Sequence, residues 1–379
     1  MTARKKPLPP GIRETALPSG RVRYKVTVDV APKGQKRQQV YRTCDTLTEA
    51  KQTLRVLRGE VAAGKYRPKS RETVNGRLDS WLAVKRHEVR PVTLRGYRDS
   101  AQHWRKAFGE RKVQSLTRDD VQQAVDAMHA AGKTGRTVQA ALVVLRASLA
   151  LAVRDGIVPR NVASGVKAPR YVPPARRAWT PQEATVFLAA VAGDRLEALY
   201  RLILLGLRRG EVLGLQWSDV DLDAPSLRVA RSRVAVTATE TMTDEPKVKR
   251  SKRTLPLGGL PSVVEALRTL RRVQQEERLR LGRPWDEDRP VAVDEVGRPM
   301  RPERYSDLWR EACQAAGVPV LTLHEARHTA ATLLAEAEVA PEVAAQWLGH
   351  DPAMYLRTYV HPRAERVAKA GEALGAAFG

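Results

Sequence analysis

The chain has 379 residues, 42% of them hydrophobic, enough for two or three domains with real cores. A formal net charge of +24 is the footprint of a polyanion binder, with nucleic acid as the partner it suggests. The two cysteines, Cys44 and Cys313, exclude a disulfide framework and a cysteine-based zinc site; no run of about 18 apolar residues and no apolar leader points to a membrane, so the sequence reads as a cytoplasmic protein.

Residues 1–70 hold 17 Lys and Arg against 5 Asp and Glu, a net of +12 and half the excess charge of the chain. After a Pro-rich lead, Arg21 to Val30 alternates polar with apolar residues, as a half-buried strand does. Pro32-Lys33-Gly34 is a turn, Gln38 to Thr43 is the next strand, and Thr48 to Gly64 is one helix. Residues 1–65 thus predict a small α+β domain, a sheet with one helix behind it, whose strand face suits a DNA major groove. Tyr66 to Thr73 is a charged linker.

From Val74 to about Asp155 the pattern is mostly helical, with Trp81, Leu82, Tyr97, Trp104 and Phe108 as apolar anchors. Thr117 and Asp120 have the spacing of a capping box. Gly135 to Val153 is a long, mostly apolar helix. Residues 72–168 predict an all-α domain, in which Lys133, Arg136 and Thr137 are phosphate-contact candidates or simply a solvated loop. Asn161 to Arg170 is a polar linker.

The third domain, 175–379, is predicted mainly α with a small antiparallel sheet. Thr180-Pro181-Gln182-Glu183 supplies an N-cap, a Pro at the first helical position and a Glu at the third, and helices follow through Leu205. Gly206-Leu207-Arg208-Arg209-Gly210-Glu211 sets two arginines ahead of an acid that can hold a guanidinium. Ser226 to Val236 and Lys252 to Leu257 read as strands around a polar turn bearing Lys247 and Lys249. Helices are predicted over Pro261 to Gly282 and Pro302 to Ala316. The end, Pro362 to Gly379, is Ala-rich with apolar spacing.

Within this domain, His324, Arg327 and His328 stand at i, i+3 and i+4 and share one helix face. Cationic donors at the mouth of a helix that is apolar soon afterwards suit a phosphate. Leu348-Gly349-His350 follows, and nine residues after His350 comes Tyr359. A phenol with a pKa of about 10 is a weak nucleophile at neutral pH until cations and a base assist it.

Together these residues resemble the C-terminal signature of the tyrosine recombinases, the phage integrase family: HxxRH, then LGH, then the nucleophilic Tyr. Gly206 to Glu211 is similar to the family's first box, GxRxGE, with Arg208 as the matching catalytic arginine and Arg209 its rival. Pro246-Lys247, with basic residues and the TLPL strand after it, resembles the family's strand-turn lysine; Lys249 and Lys252 compete with Lys247. Tyr355 lies one helical turn before Tyr359, and the spacing from LGH favours Tyr359. The family often has Asp two residues before the box arginine or Leu directly before it; Glu325 and Ala326 stand there here.

The resemblance covers 72–379 well and 1–70 loosely. It implies a lambda-type integrase with an arm-binding N-terminal domain, a helical core-binding domain and a catalytic domain. The chemistry it implies is DNA strand exchange through a covalent 3′-phosphotyrosine. Arg208 and Arg327 would clamp the phosphate, with His350 and His324 adding hydrogen bonds. Lys247 would protonate the leaving 5′-oxygen, and His324 would assist proton removal from Tyr359. No metal or other cofactor is expected. The implied partners are double-stranded DNA at core and arm attachment sites, a homotetramer on that DNA, a host DNA-bending protein and an excisionase, in a bacterial nucleoid. A chromosome-dimer or plasmid resolvase is the alternative within the family; a non-catalytic DNA-binding regulator is the alternative outside it.

Overall fold

The computed structural model describes residues 7–18, 20–30, 39–63, 66, 70–173, 177–237, 239–244, 252–359, 372, 374–376 and 378. The chain divides into two compact units, Met1–Tyr171 and Val172–Gly379.

In the first unit, three antiparallel strands lie in the order β1 (Ile12–Ala16), β2 (Val22–Asp29), β3 (Gln39–Cys44). Strand β1 was not expected from the sequence. Its residues IRETA carry a single buried side chain, Ile12, so the strand exists through its ladder to β2 rather than through an apolar pattern. Ile12, Val26, Val28 and Cys44 pack on Ala50, Leu54 and Leu57 of helix α1 (Leu47–Ala62), which Thr46 caps. On the other sheet face, Arg13, Arg23, Lys25 and Tyr41 are exposed, with Lys25 Nζ 4.1 Å from the Tyr41 ring centre.

Four helices follow: α2 (Val74–Glu88), α3 (Pro91–Phe108), α4 (Arg118–Ala130) and α5 (Gly135–Arg154). Helix α4 has the predicted capping box between Thr117 and Asp120. Helix α5 is long and apolar enough to match a membrane span by length and mean composition, although Arg136, Gln139 and Arg146 interrupt its apolar run. Its Val138, Ala141, Leu142, Leu145, Leu149 and Ala152 are instead core residues. Trp104 donates to the Ala141 carbonyl at 2.7 Å, and buried Arg77 is held between Glu72 and Asp155.

The second unit is mainly helical: α6 (Pro181–Ala190), α7 (Glu197–Leu204), α8 (Arg209–Gly214), α9 (Pro261–Arg280), α10 (Pro302–Ala315), α11 (Leu323–Glu336), α12 (Pro341–Leu348) and α13 (Pro352–Tyr359). Its core is led by Trp179, Phe187, Tyr200, Tyr305 and Trp309. The predicted strand Ser226 to Val236 is in fact two strands in two sheets. β5 (Ser226–Val229) lies between β4 (Val220–Asp221) and β8 (Arg253–Pro256), while β6 (Ser232–Ala235) pairs with β7 (Thr241–Asp244). Buried Asp219 takes the guanidiniums of both Arg228 and Arg231, which pins the chain at the break. A period-two pattern cannot reveal a break that a distant carboxylate imposes.

Candidate active site

The site is built where the start of α8, the start of β8, helix α11 and the turn after α12 meet. Glu211 on α8 is 2% exposed and gathers three guanidiniums. Arg208 Nη1 donates to it at 2.7 Å, and Arg253 spans both its oxygens at 3.3 and 3.1 Å. Arg327 Nη1 lies 3.8 Å away. Burial by itself would raise the Glu211 carboxyl pKa; Arg253, Arg208 and Arg327 outweigh it and hold it below the ordinary carboxylate value.

The same three arginines hold three consecutive carbonyls at the end of α12. Arg253 Nε donates to Trp347 O at 2.6 Å, Arg327 Nη2 to Leu348 O, and Arg208 Nη2 to Gly349 O at 2.9 Å. Cations at a helix C-terminus are favoured by its dipole and satisfy carbonyls the helix leaves open. Two glycines make the geometry possible. Gly349 turns the chain in the left-handed region, φ 64°, immediately before His350. Gly206, at φ +93°, gives its carbonyl to Arg327 Nη1, and a Cβ there would come 2.4 Å from Leu348 Cδ2.

Arg327 is 1% exposed, and its pKa is pushed down to about 9, first by burial and then by Arg208, with Glu211 opposing. It stays charged at neutral pH. Its Nε is buried without an acceptor among the described residues, and so is His350 Nδ1 without a partner. Arg208 keeps 38% of its side chain exposed. Burial, then Arg327 and Arg208, push the His350 pKa down to about 3, so its imidazole is neutral at pH 7.

Tyr359 ends α13 half-buried. Its hydroxyl is in hydrogen-bond contact with His328 Nδ1, and its ring lies parallel to that of His350, 6.3 Å between centres. Tyr355 is fully buried and donates to Ala331 O at 3.1 Å. Of the residues read from the sequence, Arg208, Arg327, His350 and Tyr359 therefore come together. Arg209 turns away, donating to Ser306 Oγ at 2.9 Å. His324 is exposed at the start of α11, its ring edge-on to His328 at 4.6 Å between centres. Lys247 and Lys249 fall outside the described residues. Lys252 is exposed directly before Arg253, in a basic hollow of about 480 Å³ lined also by Arg228 and Arg231. The sequence reading missed two members of the site, Arg253 and the contact made by His328. His328 was visible on the shared face; Arg253 had no signal, being one of several cations around the strand. Among the described residues no group of three or more His, Cys, Asp or Glu could hold a metal ion.

Comparison with known proteins bears on the family. Residues 182–366 match the model of the phage integrase family, and residues 78–156 match that of the phage integrase N-terminal SAM-like domain. A "tyrosine recombinase XerC-like" protein of Caldanaerobacter subterraneus subsp. tengcongensis is 28% identical over 300 residues, 73% of this chain and 76% of that protein. The ICEBs1 integrase of Bacillus subtilis is 24% identical over 230 residues, 60% of this chain and 61% of its own. Among solved structures, the Tn1549 transposon integrase in complex with a circular intermediate DNA matches with TM-score 0.67 at 20% identity, over 80% of this chain and 99% of that one. A lambda integrase tetramer bound to a Holliday junction matches with TM-score 0.57 at 17% identity, over 95% of this chain and 99% of that one. At these identities the structural likenesses speak for the fold alone. The two family models between them take in the helical domain and the arginine, histidine and tyrosine cluster, and the chain belongs to the phage integrase family, the site-specific tyrosine recombinases.

Proposed function

We propose that this recombinase is an integrase of a phage or other mobile element, cutting and rejoining DNA through a 3′-phosphotyrosine on Tyr359. One observation carries the reading: the Tyr359 hydroxyl lies in the cluster of His328, His350 and the Glu211-bound arginines, while Tyr355 is used up in packing. Arg208 and Arg327 would neutralise the non-bridging oxygens of the scissile phosphate. A phosphate oxygen would also supply the acceptor that Arg327 Nε and the partner that His350 Nδ1 lack, sparing the roughly 1–3 kcal/mol a buried unmade hydrogen bond costs. His324, at the rim, adds a donor, and Lys247 delivers a proton to the leaving 5′-oxygen. A preorganised donor of this kind is typically worth about 2.7–4 kcal/mol in the transition state.

The exposed Arg13, Arg23, Lys25 and Tyr41 favour integrase over resolvase, because they give residues 1–65 a cationic sheet face for arm-type DNA, separate from core DNA held by 72–168 and 175–379. A homotetramer on DNA, with a host bending protein and an excisionase, completes the proposal, acting in the bacterial cytoplasm at the nucleoid. The test is covalent trapping on nicked duplexes tiled from the DNA flanking the chain's own gene. Tyr359→Phe should bind these duplexes and form no adduct; Tyr355→Phe should still form one. An adduct that survives Tyr359→Phe and vanishes with Tyr355→Phe sinks the assignment, and no adduct from the wild type sinks the integrase reading.

A further inference from the structure

Helix α11 carries two imidazoles in ring contact, and they are not equivalent. His328 is 5% exposed and meets the Tyr359 hydroxyl through Nδ1; His324 is exposed and meets the edge of the His328 ring. We infer that His328, through Nδ1, is the group that takes the proton from Tyr359 as the phenol attacks DNA. The inference rests on the recombinase reading above and differs from the family resemblance, which gives that task to His324.

The residues around His328 argue for the role. A neutral imidazole carrying its proton on Nε2 has a lone pair at Nδ1, where the phenol points. His350, the other imidazole against the Tyr359 ring, is held neutral by burial and by Arg327 and Arg208, and so is a poor proton acceptor. Among the described residues, the charged or titratable groups that face His328 include His324 and Glu325 of its own helix, His350 after α12 and Tyr359 of α13. Glu325, bound to the backbone and hydroxyl of Thr322, supplies negative charge to an imidazolium formed there.

The step balances. The Tyr359 O–H bond breaks and its proton moves to His328 Nδ1, giving an imidazolium. The freed oxygen pair forms the O–P bond. The P–O5′ bond breaks, and its electron pair leaves on the 5′-oxygen, which is protonated by the lysine. On rejoining, a 5′-hydroxyl gives its proton back to the neutral lysine and its oxygen forms the new P–O5′ bond; the bond from phosphorus to the Tyr359 oxygen breaks, and the imidazolium returns the stored proton to that oxygen. No oxidant, metal or nucleotide enters.

The experiment is single-turnover adduct formation by the full chain on the same nicked duplexes, for wild type, His328→Asn, His324→Asn and His328→Gly. Asparagine places an amide near Nδ1 but cannot accept a proton. His328→Asn should keep DNA affinity by fluorescence anisotropy and lose about 10²–10⁴-fold in adduct rate at pH 7. That deficit should shrink as pH rises toward the ordinary phenol pKa of about 10. Imidazole in the buffer should partly restore His328→Gly, and His324→Asn should retain the wild-type dependence on pH. A His328→Asn rate within threefold of wild type with the same pH profile overturns the inference, as does a faster rate, which marks the contact as a resting latch. Should His328→Asn and His328→Gly fail to fold, His328→Gln takes their place, and a rate within threefold of wild type again overturns the inference. Failure of the wild type itself to form an adduct defeats the recombinase reading instead, so the two failures are distinguishable.

Discussion

At the scale of single residues, His350 sets a measurable dependence on pH. Its folded pKa is lowered to about 3, against about 6.5 for an unperturbed imidazole. Between those values the unfolded chain binds a proton that the folded chain refuses, so stability falls as pH drops from about 6.5 toward 3 and is unaffected above that window. Each pH unit inside it costs up to about 1.4 kcal/mol. Denaturant unfolding at pH 7.5 and pH 5, for wild type and His350→Asn, should show a larger acid loss in the wild type; equal losses would remove His350 as the source. This residue was legible from the sequence because LGH is a local motif with a fixed distance to Tyr359. Arg327, Arg208 and Tyr359 were legible for the same reason. Arg253 was not: its role is made by Glu211 and Trp347, 42 and 94 residues away, and no local pattern encodes such a meeting.

At the scale of elements, Arg253 is the joint between β8, α8 and α12. Its side chain is 5% exposed, and it satisfies both a buried carboxylate and a helix-end carbonyl. Arg253→Ala should destabilise the chain by about 3–5 kcal/mol, the usual cost of leaving one partner of a buried ion pair alone. Arg253→Lys should recover part of this, because a lysine restores charge but cannot fork to two oxygens and a carbonyl at once. Thermal unfolding of the three proteins checks the order; a stable Arg253→Ala would show that Arg208 and Arg327 suffice for Glu211. The helices of this region were readable from caps and apolar spacing, as at Thr180 and Glu183, which form the expected capping box. The sheets were read less well. β1, β7 and the break after β5 depend on ladder partners and on Asp219, which a scan along one strand does not see.

At the scale of the whole molecule, the charge of residues 1–70 and the exposed cations of the N-terminal sheet bear on how many DNA sites the chain engages. A truncation should begin at Ser70 rather than Thr73. Ser70 donates its N–H to Gln114 at 2.9 Å, and Glu72 pairs with buried Arg77 at 2.7 Å, so both belong to the helical region. That truncation should bind core DNA weakly and still form the Tyr359 adduct on a nicked duplex, yet fail to assemble complexes on full attachment DNA. Losing a bridging contact lowers the effective concentration of one site near another. The full chain's added footprint should fade steeply with salt, as phosphate contacts release counterions. Identical footprints and normal recombination by the truncation would leave the N-terminal region without a DNA site of its own.

The turn at Gly349 separates two kinds of attachment. Before it, α12 is fastened by guanidiniums on Trp347 and Leu348 and by the Trp347 indole on Leu205 O at 2.8 Å. After it, α13 buries one of its eight residues, Tyr355, against a small cluster made largely of Ala330, Ala331, Ala335, Ala344 and Ala345. Alanines bury little apolar area at roughly 25 cal/mol per Å², so local opening of α13 is inexpensive compared with opening the aromatic core around Trp309. Backbone amides of Tyr355 to Tyr359 should therefore exchange with deuterium well before those of Leu199 to Ile203 in α7; equal protection would make the two segments one cooperative unit. Exchange in that order would make Tyr359 an arm tethered at Gly349, beside a guanidinium cluster that holds its shape while the arm moves.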